Sequence, residues 1–168
     1  MALQPLSTAD LLADGVTLQD GHDNIVLRDC SGPEIDALGY GGERFDEVSV
    51  FAGEGFPAPD VSSGESLARC PNLSSVDTDD NSADFHTSLD PTPGQANTGF
   101  ENPFDCEACE PGRFDGAVVI NEVFYNPEGA DDGNEFIELA AQGRFDLTGL
   151  QLLLYNDSEE ESIHAVSY

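Results

Sequence analysis

The 168-residue chain has no lysine and no tryptophan, and its five arginines face 34 acidic residues. The resulting formal net charge of −29 excludes the usual footprint of a nucleic-acid-binding protein, because duplex binding depends on Lys and Arg neutralising phosphates. An anionic membrane surface would repel the chain for the same reason. No apolar run approaches the roughly 20 residues that a membrane-crossing helix needs, so no membrane span is expected. The segment Met1-Ala2-Leu3-Gln4-Pro5 lacks a basic n-region and a long apolar stretch. It does not read as a signal peptide, and if the native protein is exported, this chain is a fragment of it. Catalytic motifs are missing too: there is no G-x-S-x-G, no H-E-x-x-H and no glycine-rich phosphate loop ahead of a helix. His22, His86 and His164 stand alone in the sequence.

What such a charge attracts is a divalent cation or a basic partner. Its commoner meaning is simpler, since an acidic surface keeps a secreted protein soluble. The four cysteines, Cys30, Cys70, Cys106 and Cys109, are even in number in an acidic, loop-rich chain, which favours disulfides and an oxidising compartment. Three pairings are open. Cys106 with Cys109 as a local loop and Cys30 with Cys70 as the long-range bridge is the preferred one, and the longer loop would contribute about 4 kcal/mol in the chain-entropy model. One C-x2-C without a second close pair makes a poor zinc site.

Seventeen glycines and ten prolines punctuate many short apolar runs, a pattern of an all-β sandwich rather than of helices. Asn24–Asp29 and Glu34–Gly41 flank the turn Ser31-Gly32-Pro33 and predict a hairpin. Residues 41–66 form a long loop, and Ser66-Leu67-Ala68-Arg69 a short strand. The stretch Val118–Pro127, followed by Asn134–Leu139, predicts a strand, an acidic turn and a second strand. In the second, Glu135, Ile137 and Leu139 alternate with Phe136 and Glu138. A third strand follows Asp146-Leu147-Thr148-Gly149, with Leu150, Leu152 and Leu154 on one face. Residues 99–115, with Gly99, Pro103, Pro111 and Gly112, behave as a linker.

Two sets of residues carry chemistry. Glu122, Glu135 and Glu138 are carboxylates inside apolar strands, as a metal-dependent nuclease or phosphoesterase would place them. Asp77, Asp79, Asp80, Asn81 and Asp84 put Asp and Asn oxygens at close spacing, and Asp77, Asp79, Asn81 and Asp84 form a weak calcium candidate. That loop lacks the glycine and glutamate of an EF-hand, and a solvated turn capped by its own Asx side chains is the commoner outcome. The acidic turn Glu128–Asn134 is weaker still, and Asp157–Glu161 is an acidic turn or tail. Arg28 and Arg69 are conspicuous because arginine is scarce, and each is expected to pair with a strand carboxylate.

Ile120-Asn121-Glu122, Glu135-Phe136-Ile137-Glu138-Leu139 and Asp146-Leu147-Thr148-Gly149 resemble, in order and spacing, the opening of a lamin tail domain. Ile25 to Gly41, Ser66-Leu67-Ala68-Arg69, Asp77 through Asn81 to Asp84-Phe85, and Pro91-Thr92-Pro93-Gly94-Gln95-Ala96-Asn97 resemble the closing half of such a domain in its bacterial extracellular form. The chain thus reads as the back half of one module over 1–98, a linker over 99–115, and the front half of another over 116–168. It is either a slice of a tandem array or a single sandwich closed by circular permutation. Each half alone would leave open strand edges and an apolar face. A linker of roughly 16 residues, at about 3.3 Å each, could span the small domain that joining them would make. The resemblance implies an immunoglobulin-like β-sandwich that is not an enzyme. It implies structural roles for Glu122, Glu135 and Glu138, and a secreted or cell-surface binding or spacer role with a protein or surface partner. The alternatives are a calcium-dependent adhesion module and an accessory or metal-dependent nuclease or phosphoesterase component.

Overall fold

The computed structural model describes residues 18–29, 32–42, 51–69, 77–100, 118–129, 134–141 and 150–155, and the backbone of 164–167. The four cysteines, the acidic turn residues 130–133, the acidic stretch 157–161 and most of the linker fall outside the described residues.

The chain is an all-β sandwich of two antiparallel four-stranded sheets. In chain order the elements are β1 (Asp23–Asp29), β2 (Glu34–Tyr40), β3 (Ser66–Arg69), a one-turn helix α1 (Asn81–Asp84), β4 (Phe85–Ser88), β5 (Val118–Phe124), β6 (Phe136–Ala141), β7 (Leu150–Tyr155) and β8 (His164–Ser167). One sheet runs β2-β1-β7-β8 and the other β4-β3-β5-β6. Each sheet therefore joins a hairpin from before residue 101 to a hairpin from after residue 117. The two seams are β1 with β7, from Asn24 opposite Tyr155 to Asp29 opposite Leu150, and β3 with β5, where Leu67 faces Val123 and Ala68 faces Glu122.

Side-chain alternation decides which residues meet between the sheets. Ile25 and Leu27 of β1, Leu38 and Tyr40 of β2, Leu67 of β3 and Leu150, Leu152 and Leu154 of β7 share one buried core, with Ile137 and Leu139 of β6 packed against it. On β5 the alternation breaks. Val118 and Ile120 face this core, and so do Val123 and Tyr125, because the pairing with β6 slips between Ile120 and Glu122. Such a bulge inserts one residue and re-aims those after it. Here it turns Asn121 and Glu122 towards the loop that follows β4. Val26, Ala37 and Leu153 form a smaller apolar cluster on the outer face of the other sheet.

The segment Phe51–Ala58 crosses close over β2. A Cβ on Gly53 would fall on the backbone nitrogen of Gly39 and on Asn81 Oδ1, so only glycine lets the two backbones approach. Asn81 closes this crossing. Its Oδ1 accepts from Gly39 N at 2.8 Å and Glu54 N at 2.9 Å, and its Nδ2 donates to Ala37 O at 2.7 Å. The four-residue α1 and the strand β4 replace what the sequence presents as a plain turn. Asp80 caps the helix by accepting from Ser82 N at 3.1 Å, the Asx local bonding that favours turns and N-caps.

Candidate functional site

Arg69 ends β3 on the same face as Leu67, so its side chain enters the interior between the sheets, where it is fully buried. Asp36 occupies the inward face of β2, in step with Leu38 and Tyr40, and is also fully buried. The two meet across the sandwich: Arg69 Nη2 lies 3.2 Å from Asp36 Oδ1. Nη1 pairs with Asp84 Oδ2 at 3.0 Å, and Nη2 stands 3.9 Å from Asp77 Oδ1. Nε donates to Ile120 O at 2.7 Å, and the guanidinium carbon lies 4.4 Å from the centre of the Phe85 ring. The backbone N–H of Ile120 donates back to Asp36 Oδ2, and Thr78 donates to Asp84 through both N and Oγ1. A buried guanidinium with planar donors in several directions is what such a multi-partner site requires, and a lysine could not serve it.

The cluster is over-supplied with negative charge. Carboxylate oxygens of Asp36, Glu54 and Asp77 lie within 4.8 Å of one another, and Asp84 completes the ring around the single guanidinium. Burial lifts the Asp36 carboxyl to about 6 although Arg69 opposes the shift. Burial, reinforced by Asp36, Asp77 and Asp79, lifts Glu54 to about 8. Asp77 is also raised, again chiefly by burial. Glu54 Oε2 is buried with no hydrogen-bond partner among the described residues. Like charges so close, with one counter-charge, relieve themselves by holding a proton or admitting a cation. The cluster can therefore take up protons or a hard divalent ion.

The four calcium candidates separate into different tasks. Asp77 and Asp84 serve Arg69, and the carboxamide oxygen of Asn81 is spent on two backbone N–H groups. Asp79 sits at φ 56° and donates its N–H to Asp77 Oδ1 at 3.2 Å. Of the three grouped acids, Asp77 was a candidate in the sequence, whereas Asp36 and Glu54 were not. Asp36 carried a signal, since it takes an inward position in the β2 alternation where an apolar residue is normal. Glu54, between Gly53 and Gly55, carried none.

The strand glutamates hold loops. Glu122 is fully buried and accepts from Ser66 Oγ, from Thr92 N at 3.1 Å and from Thr92 Oγ1 at 3.2 Å. Its carboxyl is raised, mainly by burial. Glu138 faces it across the β5–β6 pair and accepts from Gly94 N at 2.6 Å and from Asn121 Nδ2. Asn121 Nδ2 in turn reaches Asn97 Oδ1 at 3.1 Å, and Asn97 Nδ2 donates to Arg69 O at 2.6 Å. Glu135 reaches elsewhere, accepting from Leu18 N at 3.3 Å. Arg28 pairs with Glu34 at 3.7 Å on the surface.

Comparison with protein-family models, curated proteins and solved structures finds no significant match to this chain.

Proposed function

We propose that this chain is a non-catalytic binding or spacer module of a larger secreted or surface protein. Its sandwich is immunoglobulin-like and is closed by joining the back half of one lamin tail-like module to the front half of another. The observation that carries this reading is the use made of Glu122 and Glu138. The acids that a hydrolase would aim at a metal and a substrate are spent on Thr92, Gly94, Ser66 and Asn121. They fasten the Pro91–Asn97 loop across β3 and β5. The net charge of −29 argues in the same direction against a phosphodiester substrate. The test is hydrolysis of DNA, RNA and a small phosphodiester in magnesium, manganese and calcium. No turnover is expected. Turnover that vanished in a folded Glu138→Gln variant would overturn the reading.

A calcium-dependent adhesion module is the second reading, and the crowding of Asp36, Glu54 and Asp77 favours it. A ligand that binds the native state raises the melting temperature by linkage. A midpoint that rises with calcium and returns in chelator, with the rise abolished by Asp77→Asn, would promote this reading over the first.

A further inference from the structure

The structure holds a groove of about 720 Å³ at the end of β5, and its lining shares no residue with the Arg69 cluster. Phe124, which is 1% exposed, and Pro127 lie buried beneath it, and its accessible apolar surface comes from Leu89, Pro91 and Pro93. One wall is the turn Ser63-Gly64-Glu65, and the other is the loop Leu89–Pro93 with Gln95. Both walls are fixed to the sheet. Gly64 N donates to Asn126 O at 2.6 Å and Ser63 Oγ to Pro127 O at 3.0 Å. Thr92 is held by Glu122 and Gly94 by Glu138, and Leu89 N donates to Gly99 O at 2.8 Å. A trough with walls fastened in this way is preformed, which lowers the ordering cost of binding. Its size lies within the range of ordinary ligand pockets.

Two features identify the occupant. Leu89 stands at the lip with 49% of its surface exposed, one of two large hydrophobics so exposed among the described residues. The lining also carries Glu65, Asp90 and Glu128 and no basic residue. The arginines among the described residues, Arg28 and Arg69, pair with other acids. The groove thus offers an apolar seat inside a rim of one sign. We propose that it binds a basic, extended peptide segment of a partner protein. One aliphatic side chain would sit against Leu89, Pro91 and Pro93, and flanking lysines or arginines would face Glu65, Asp90 and Glu128. The inference rests on the binding-module reading and names its partner class. Rim charges of this kind set encounter rate and salt dependence, and the apolar seat sets selectivity.

The experiment is fluorescence anisotropy of the full chain with two labelled octapeptides. Both alternate arginine with serine. One carries a central leucine, and the other has serine there. The leucine peptide should bind at least ten-fold more tightly than its serine counterpart, and more weakly as salt rises. The double variant Asp90→Asn with Glu128→Gln should lose ten-fold or more. The double variant Asp20→Asn with Glu34→Gln, which removes the same charge outside the groove, should lose less than three-fold. Leu89→Ser should erase the preference for leucine while retaining part of the binding. Equal losses in the two charge variants, or equal binding of the two peptides, would show only attraction to the overall charge and would overturn the groove. Absence of binding to either peptide would overturn it as well. None of these results bears on whether the chain is catalytic, which the hydrolysis assay decides separately.

Discussion

Arg69 is where the chemistry of single residues decides most. A buried ion pair is a poor stabiliser in itself, but removing one partner strands the other, at about 3–5 kcal/mol. Arg69→Met would leave Asp36 and Asp84 buried without their cation, so a loss of that size is expected in urea unfolding at neutral pH. Arg69→Lys should recover little of it, since one ammonium cannot serve Asp36, Asp84 and Ile120 O together. Glu54 makes the opposite kind of contribution. Its carboxyl titrates at about 8 in the folded chain, against an ordinary value of 4.5, so the folded state holds a proton that the unfolded state has released. Stability from this group is present below pH 4.5 and is lost as pH rises towards 8. Asp36, at about 6, acts in the same sense over a narrower window. Urea midpoints between pH 5 and pH 8.5 should therefore fall with rising pH, and Glu54→Gln should flatten that fall. An unchanged slope in the variant would show that Glu54 titrates normally. The scarcity of arginine made Arg69 conspicuous in the sequence. Its main partner was harder to see, because Asp36 lies 33 positions away and is joined to it only by the stacking of two sheets.

At the level of elements, the strands were more legible than their connections. The hairpin of β1 and β2 and the leucine face of β7 follow from alternation, which needs only local information. The bulge on β5 and the crossing of Phe51–Ala58 over β2 depend on tertiary neighbours, and no periodicity announces them. Two substitutions test the crossing. Gly53→Ala drives a methyl into Gly39 and Asn81. Asn81→Ala leaves two backbone N–H groups and a carbonyl without their partner, at about 1–3 kcal/mol for each buried group stranded. Both should lower the melting temperature with the fold retained, and Asn81→Ala should speed amide exchange at Gly39 and Glu54 specifically. The calcium candidates illustrate the limit of spacing arguments. Asp77, Asp79, Asn81 and Asp84 have the composition of a ligand loop, yet Asn81 Oδ1 serves two backbone amides and Asp84 serves an arginine.

For the whole molecule, the governing feature is that neither sheet is complete within one half of the chain. Residues 18–100 supply β1 to β4 and residues 118–168 supply β5 to β8, and the halves join at β1–β7 and β3–β5. Expressed separately, each half should lack a cooperative thermal transition. Mixed in equal amounts, they should regain a β-type circular-dichroism spectrum and a single melt, with association that strengthens as salt screens the acidic surfaces. A cooperative melt of the first half alone would show that its two hairpins form an independent domain. The punctuated short apolar runs anticipated an all-β sandwich, but they could not specify which strands adjoin, because pairing between distant segments leaves no trace in either segment alone.

The same interleaving sets a timetable for synthesis. Ile25 meets Leu154 in the finished sheet, so one long edge of β1 has nothing to pair with until β7 has also left the ribosome. During that interval the β1–β2 hairpin exposes an apolar face and a free strand edge, the species that aggregates most readily. Long-range pairing of this kind also makes folding slow. A chain so heavily acidic repels its own copies while it waits. The acidic charge thus has its first use before the protein is folded.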